Sequence, residues 1–404
     1  MRQSFGALLA AAAIGVAAYG AAIGAAAAQD GDPIKFSIPL PLTGPLAFTG
    51  QVQQAGWQSA IEHINNTGGI KGRPIEADFY DDEYKVDLGV AGFKKAASAG
   101  DLVFAAGDGT PFVRAISPEN NDTYHILMSA TGFASDLTDT ESYKYNFLTG
   151  PTYSDMIDVL YRYMIDNKSG DAAPTVAIVY SATEFGRDPL EHARAKAEEL
   201  GIDIVLEEET KWSGVDVTAS AIKLRNAAPD YVIFHGYAGN VWPEILKTAR
   251  DYGVEAQFMG TAYNSDPEMV KSVGPAANGY LGVIPFNLVV KDTDAPNMAA
   301  IRENLEQWDD KPYTGYANMG YVQSWLTALI LREVIGSTLD AGKELNGDNL
   351  IAAVNNLDGW DSGGIVGPVT FVDHRIPKAI VYRFNVAEDD FSMEPATDFI
   401  TVAE

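Results

Sequence analysis

Five histidines, no cysteine and a large acidic excess bound the chemistry open to this 404-residue chain. His63, His125, His192, His235 and His374 form no HExxH or HxxxH pair, and no GxSxG elbow offers a serine nucleophile. With no nucleophile and base paired, the chain is not expected to be an enzyme. His235 alone sits where it could line a cleft, ending an apolar run beside Tyr237; a packed or solvated strand end is the plainer and favoured reading. The lack of cysteine excludes disulfides and thiolate-bound metal. Asp81-Asp82-Glu83 lacks the spaced ligands of a calcium loop, so no metal is expected, and the pair of aspartates reads as the N-cap of a following helix. Gly107-Asp108-Gly109 partly matches a dinucleotide fingerprint, but Phe112 stands where the third glycine belongs, and no cofactor is expected. The segment suits a smaller anion better: free amides at a helix N-terminus, with the Thr110 hydroxyl, can hold a carboxylate. A simple turn and cap is the competing reading.

The elements that would position these residues alternate. Continuous apolar runs read as strands at Ile34 to Leu40, Pro74 to Tyr80, Leu102 to Ala106 and Ile126 to Ser129. A second series follows at Thr175 to Tyr180, Ile202 to Glu207, Tyr231 to His235 and Gln257 to Gly260. Helical spacing of apolar residues fills the intervals, as in Gly50 to Asn66, Leu88 to Ala99, Pro189 to Leu200, Val217 to Ala227 and Val241 to Tyr252. Continuous strands joined by helical crossovers imply parallel sheets covered on both faces. The fold class is therefore α/β, with two doubly wound parallel-sheet lobes. Ligands of such sheets sit outside the carboxyl ends of the strands, which points to the loops 41–50, 107–111, 130–135, 181–187, 236–240 and 261–266.

The chain opens on Met1-Arg2, runs apolar and alanine-rich from Phe5, and reaches Ala26-Ala27-Ala28 before Gln29-Asp30. This is the pattern of a secretory signal over 1–28, cleaved near Ala28. A membrane anchor is the rival, weakened by Gly15, Gly20 and Gly24 within the run. No later stretch is long and apolar enough to span a bilayer. The formal charge of −27 makes a surface that repels nucleic acid and anionic lipid, and speaks to solubility rather than to a pocket.

Several segments together resemble the leucine/isoleucine/valine-binding family of periplasmic binding proteins. They are PLTGPLAFTG from Pro41, NNTGGIKGRPIE from Asn65, YDDEY from Tyr80, ILMSATGFASDLT from Ile126, EFGRD from Glu184, GYAGNVWPEILKTARDYG from Gly236 and QFMGT from Gln257. The resemblance implies two lobes joined by three hinge crossings, near Asn146 to Pro151, Ile284 to Asn287 and Gly363 to Gly367. Lobe one would comprise 29–148 and 286–363, and lobe two 149–285 and 364–404. It implies a periplasmic capture subunit, expected to be a monomer, that closes on its ligand and docks on an inner-membrane ABC permease. An exported sensor presenting its closed state to a membrane receptor is the alternative role.

Family contacts carry over to Phe48 and Thr49, to Gly109 and Thr110, and to the loop holding Ala130, Thr131 and Phe133, which is one residue shorter than is usual. In the second lobe they fall on Phe185 and Tyr237, and Tyr263 and Asn264 in the loop after Gln257 to Gly260 are further candidates. One departure concerns the ligand. Amino-acid binders of this family place a glutamate after the strand that corresponds to Gln257 to Gly260, where it pairs the ligand ammonium. Here the expected position is Ala262 or a neighbour, and Asp266 comes several residues late. An ammonium buried without a counter-charge is costly, so the expected ligand is a small carboxylate or amide with an aromatic or aliphatic body, with a branched-chain or other amino acid as the alternative.

Overall fold

The computed structural model describes residues 31–168, 170–211, 216–237, 239, 241–307 and 314–402. The signal segment expected at 1–28 lies outside the described residues. The first sheet is five-stranded and wholly parallel, with β1 (Ile34–Leu40), β2 (Ile75–Asp81), β3 (Leu102–Gly107), β4 (Leu127–Ala130) and β5 (Asn146–Phe147) in the order β2-β1-β3-β4-β5. Its β3 and β4 are buried at every position, as strands covered on both faces must be.

The second sheet contains β6 (Thr175–Ser181), β7 (Asp203–Thr210), β8 (Tyr231–His235), β9 (Gln257–Gly260) and β10 (Leu281–Ile284), all parallel to their neighbours. It then departs from the all-parallel expectation. β11 (Lys378–Val386) pairs antiparallel with β10, and β12 (Phe391–Pro395) and β13 (Ile400–Thr401) pair antiparallel with β11. The reason is local. Only four residues separate β11 from β12, and the Ala387 amide bonds to the Asp390 carbonyl at 2.9 Å. A link that short can only make a hairpin, whereas a parallel return needs a crossover of a dozen residues or more.

A helix not read from the sequence completes the first lobe. Met319–Asp340 is apolar over almost its whole circumference because it is buried on nearly all sides, so no amphipathic stripe marks it. It packs along the helix Ala47–Asn66. The approach is close enough that a Cβ at Gly56 would lie 2.6 Å from the Tyr321 carbonyl oxygen. Ser59 Oγ receives hydrogen bonds from Tyr321 Oη (2.7 Å) and Trp325 Nε1 (3.1 Å) across the same seam. Among the described residues no helix is long and apolar enough to cross a membrane.

The aspartates expected to cap the second helix do not. That helix begins at Val86 after Lys85, with no side-chain cap. Asp81 instead gathers the loop that follows β1: Oδ1 accepts from the amides of Leu42 (2.9 Å), Thr43 (3.2 Å) and Glu83 (3.0 Å), and Oδ2 accepts from the Thr43 hydroxyl at 2.5 Å. These donors hold its carboxyl below the usual carboxylate range despite the opposing effect of desolvation. Asp82, one residue on, is turned inward and buried.

Candidate functional site

The carboxyl ends of the two parallel strand sets face each other, and a cavity of about 260 Å³ lies between them. Each of the six loops singled out above contributes to its wall: Pro41, Leu46 and Thr49 from the first, Asp108 to Pro111 from the second, Thr131 and Gly132 from the third. From the second lobe come Thr183, Glu184 and Phe185, then Gly236, then Tyr263. Gln53, Tyr84 and Tyr153 complete it.

The polar part of the wall is the start of the helix Gly109–Glu119. Its first amide, on Gly109, is already used, donating to Thr131 Oγ1 at 2.9 Å. Pro111 has no amide proton. The Thr110 amide, which as a first-turn group has no intrahelical acceptor, therefore remains with the Thr110 hydroxyl beside it. Gly132 brings its backbone close to that hydroxyl: a Cβ there would lie 2.8 Å from Thr110 Oγ1. These groups are hydrogen-bond donors held by a helix terminus of positive potential.

The apolar part is aromatic. Phe185 packs on Tyr153 at 4.8 Å between ring centroids and meets Tyr263 edge-on at 5.8 Å. Tyr263 reaches across the cleft to donate to the Thr131 carbonyl oxygen at 2.6 Å. Tyr84 is placed by an unusual turn in which both Glu83 and Tyr84 hold positive φ, 53° and 57°. Its ring lies over Gly109, where a Cβ would be 2.6 Å from Tyr84 Cε2. His235 is buried behind Phe185. Its Nδ1 is 2.8 Å from Thr261 Oγ1 and its Nε2 is 3.0 Å from the Phe185 carbonyl oxygen. A carbonyl can only accept, so Nε2 carries the proton. Burial pushes the imidazole down to about 4, which leaves it neutral at ordinary pH. The histidine is a packed support for Phe185, not a cleft-lining group.

Of the residues expected at the site, Thr49, Gly109, Thr110, Thr131, Phe185 and Tyr263 come together on the cavity wall. The others do not. Phe48 is 42% exposed on the outside of the first loop. Ala130 is the last residue of β4 and packs into the lobe core. Phe133 lies one layer back, its ring 6.0 Å from Tyr153 and 6.4 Å from Tyr263. Tyr237 is 1% exposed, and its hydroxyl pairs with that of Thr210 at the end of β7. Asn264 is buried in the turn after β9, with its carbonyl accepting from Tyr280.

Both positions considered for a counter-charge also turn away. Ala262 is wholly buried outside the wall, and Asp266 caps the helix Pro267–Val273 while its Oδ2 accepts from Asn318 Nδ2 at 2.6 Å. Among the described residues the wall nevertheless holds two carboxyl groups, Asp108 and Glu184, and no lysine, arginine or histidine. Neither was foreseen. The signal for Asp108 was present, since a carboxyl between two glycines at a strand end is poorly explained by a turn alone.

The lobes also touch beside the cavity. Arg114 holds Asp136 of its own lobe with two bonds of 2.9 Å, and reaches Glu184 at 3.0 Å and Asp188 at 3.1 Å in the other. The second oxygen of Asp188 accepts from the Ser135 amide (2.9 Å) and hydroxyl (2.8 Å).

A family model described as periplasmic binding protein matches residues 33–388. The leucine-, isoleucine-, valine-, threonine- and alanine-binding protein of Pseudomonas aeruginosa is 28% identical over 271 residues, covering 63% of this chain and 67% of that one. A valine-bound branched-chain amino-acid ABC transporter protein from Thermus thermophilus superposes with a TM-score of 0.81 at 23% identity, covering 92% and 97% of the two chains. A solute-binding protein from R. palustris in complex with 4-hydroxybenzoate superposes at 0.77 with 19% identity, covering 92% and 97%. Two parallel-sheet lobes meeting at their strand ends, and a family match over nearly all of the described chain, agree: the chain belongs to the periplasmic binding protein family.

Proposed function

We propose that this protein is the capture subunit of an ABC importer, exported by a signal segment cleaved near Ala28, and that it closes on a small carboxylate or amide ligand with an aromatic or aliphatic body. The observation that carries the reading is the cavity itself. Its approximately 260 Å³ suit a ligand of amino-acid or benzoate size, and loops from both lobes enclose it. The head group would sit on the Thr110 amide and hydroxyl and the Gly132 backbone. Tyr84, Tyr153, Phe185 and Tyr263 would enclose the body. The closed form, acting as a monomer, then docks on the inner-membrane permease.

Closure needs crossings that can bend. The chain passes between the sheets after β5 and after β10. We place the third crossing at 374–377, later than the 363–367 expected from the resemblance. Leu148 accepts from the Ile376 amide and donates to the His374 carbonyl there, just before β11 begins.

One observation favours the amino-acid alternative: Asp108 and Glu184 bring to the wall carboxyl oxygens that can accept from an ammonium, which position 262 does not. A thermal-shift screen with amino acids, aromatic acids, short aliphatic acids and amides decides between them. Stabilisation by aromatic or aliphatic acids supports the proposal, and stabilisation by leucine or valine alone refutes it in favour of the alternative.

A further inference from the structure

The cavity wall contains a carboxyl that the protein satisfies only in part. Asp108 is 6% exposed; its carboxyl pairs with that of Asp82, and its Oδ2 accepts from no side-chain or backbone donor among the described residues. It occupies the N-cap position of the helix Gly109–Glu119 yet makes no capping bond. A buried polar atom left unpaired is costly, so this arrangement is expensive unless something completes it. Its neighbours make the shortage worse. The carboxyl of Asp82, 1% exposed, lies against that of Asp108, with Tyr80, Tyr84 and Tyr263 around the pair and no cation beside it. Desolvation, then the repulsion of Asp82, raises the Asp108 carboxyl well above the ordinary range. Besides its contact with Asp108, the Asp82 carboxyl accepts from the Tyr84 amide at 3.0 Å, which ties the pair to the strained turn that lays Tyr84 over Gly109.

We infer that Asp108 is a specificity-determining residue: it accepts a hydrogen bond from a donor group on the ligand, a hydroxyl or an N–H, presented beside the head group that sits on Thr110. The inference rests on the ligand reading proposed above and sharpens it, because an acid or amide lacking such a donor would leave Asp108 unpaired in the closed cavity. The site is then two-faced. The helix start donates through Thr110, and one residue earlier Asp108 accepts. A site built to bond a donor rejects the isostere that lacks it far more strongly than an apolar pocket rejects a changed methyl group.

Matched ligand pairs on the mature full chain test this by titration calorimetry. One pair is 4-hydroxybenzoate and 4-methylbenzoate; the other is leucine and 4-methylpentanoate. The wild-type protein is expected to bind the donor-bearing member of a pair at least about tenfold more tightly, and Asp108→Ala is expected to bring that ratio close to one. Asp108→Asn, nearly isosteric, covers the case in which the alanine variant does not fold: it keeps an acceptor oxygen, so the preference for the donor-bearing member is expected to survive it, and loss of that preference there overturns the inference. An unchanged ratio in Asp108→Ala, or a wild-type protein that binds the donor-free member as tightly, overturns the inference. A wild-type protein that binds neither member of either pair refutes the ligand reading and the inference with it.

Discussion

Asp188 is the residue through which the second lobe grips the first, and removing it should weaken binding without touching the cavity wall. Its side chain is only 4% exposed, and it makes three cross-lobe contacts: Arg114 Nη2, the Ser135 amide and the Ser135 hydroxyl. Burial raises its carboxyl, and the Ser135 and Arg114 donors oppose that shift, so the ionised form depends on the closed arrangement. When the lobes part, water takes over all three contacts, and Arg114 keeps its two bonds to Asp136. Asp188→Ala therefore acts on closure. A hydrogen bond to a charged group contributes about 1.5–3 kcal/mol net of the water it replaces. The three share one carboxylate and are not additive, so we take about 2–4 kcal/mol for the set. At 1.4 kcal/mol per decade this lowers the closed population, and with it the apparent ligand affinity, about 30- to 700-fold. Calorimetric Kd values measure the loss, and small-angle scattering of the ligand-saturated protein should show a larger radius of gyration than the wild type. Arg187→Ala is the control. Its pair with Glu209 is exposed on both sides and lies within one lobe, so affinity should change by less than about twofold. A Kd for Asp188→Ala within threefold of wild type would refute the latch.

Three other outcomes follow from particular contacts. Phe185→Ala should lower ligand affinity about 30- to 150-fold, the equivalent of about 2–3 kcal/mol, while Phe48→Ala stays within twofold because Phe48 faces solvent; equal effects would place the wall wrongly. Gly56→Ala should cost about 1–3 kcal/mol of stability in denaturant unfolding, since its Cβ meets backbone atoms of Tyr321 and two whole helices must shift; a loss below about 0.5 kcal/mol would contradict the close packing. Burial, chiefly, raises the Asp82 carboxyl to about 6 from a usual value near 3.8, so the native state holds this proton more tightly than the unfolded chain does. Stability from this group is thus full below about pH 4 and lost as pH rises to about 6, and Asp82→Asn should outlast the wild type at pH 7–8 by at most about 3 kcal/mol, with the advantage vanishing near pH 4. A difference independent of pH would show that Asp82 does not titrate as the buried pair requires.

How much of this the sequence discloses depends on what each residue answers to. Strands buried on both faces are apolar at most positions, so Ile34–Leu40, Tyr231–His235 and Gln257–Gly260 were legible to the residue. The amphipathic helix Val217–Ala227 was equally plain. Met319–Asp340 was not, because a helix enclosed by its own lobe carries no polar stripe, and periodicity cannot separate it from any other apolar stretch. The hairpin of β11 and β12 was missed for a different reason. Its strands pack at the far edge of a sheet begun some two hundred residues earlier, and although the short link between them is local, nothing local marks the docking of β11 on β10.

The site divides along the same line. The rule that ligands meet the carboxyl ends of parallel strands concerns backbone topology, and all six loops it named reach the cavity. Which side chain in a loop faces inward is settled by contacts the sequence does not display. Tyr237 turns to the Thr210 hydroxyl on a neighbouring strand, and Phe48 points outward from the helix start at Ala47. Tyr84 enters only because two consecutive residues adopt positive φ, a conformation neither Glu83 nor Tyr84 advertises. Asp108 is the instructive case. Weighed as part of a nucleotide fingerprint, Gly107-Asp108-Gly109 amounted to a failed match. As a buried carboxyl set against a second one, with no cation near and one oxygen unpaired, it becomes the group that would tell one small acid from another. A counter-charge was sought at position 262 and is absent there, but the topology brings a carboxyl acceptor to the same cavity from the opposite lobe. The absence of a residue at its family position therefore says little about the ligand until the whole wall is known.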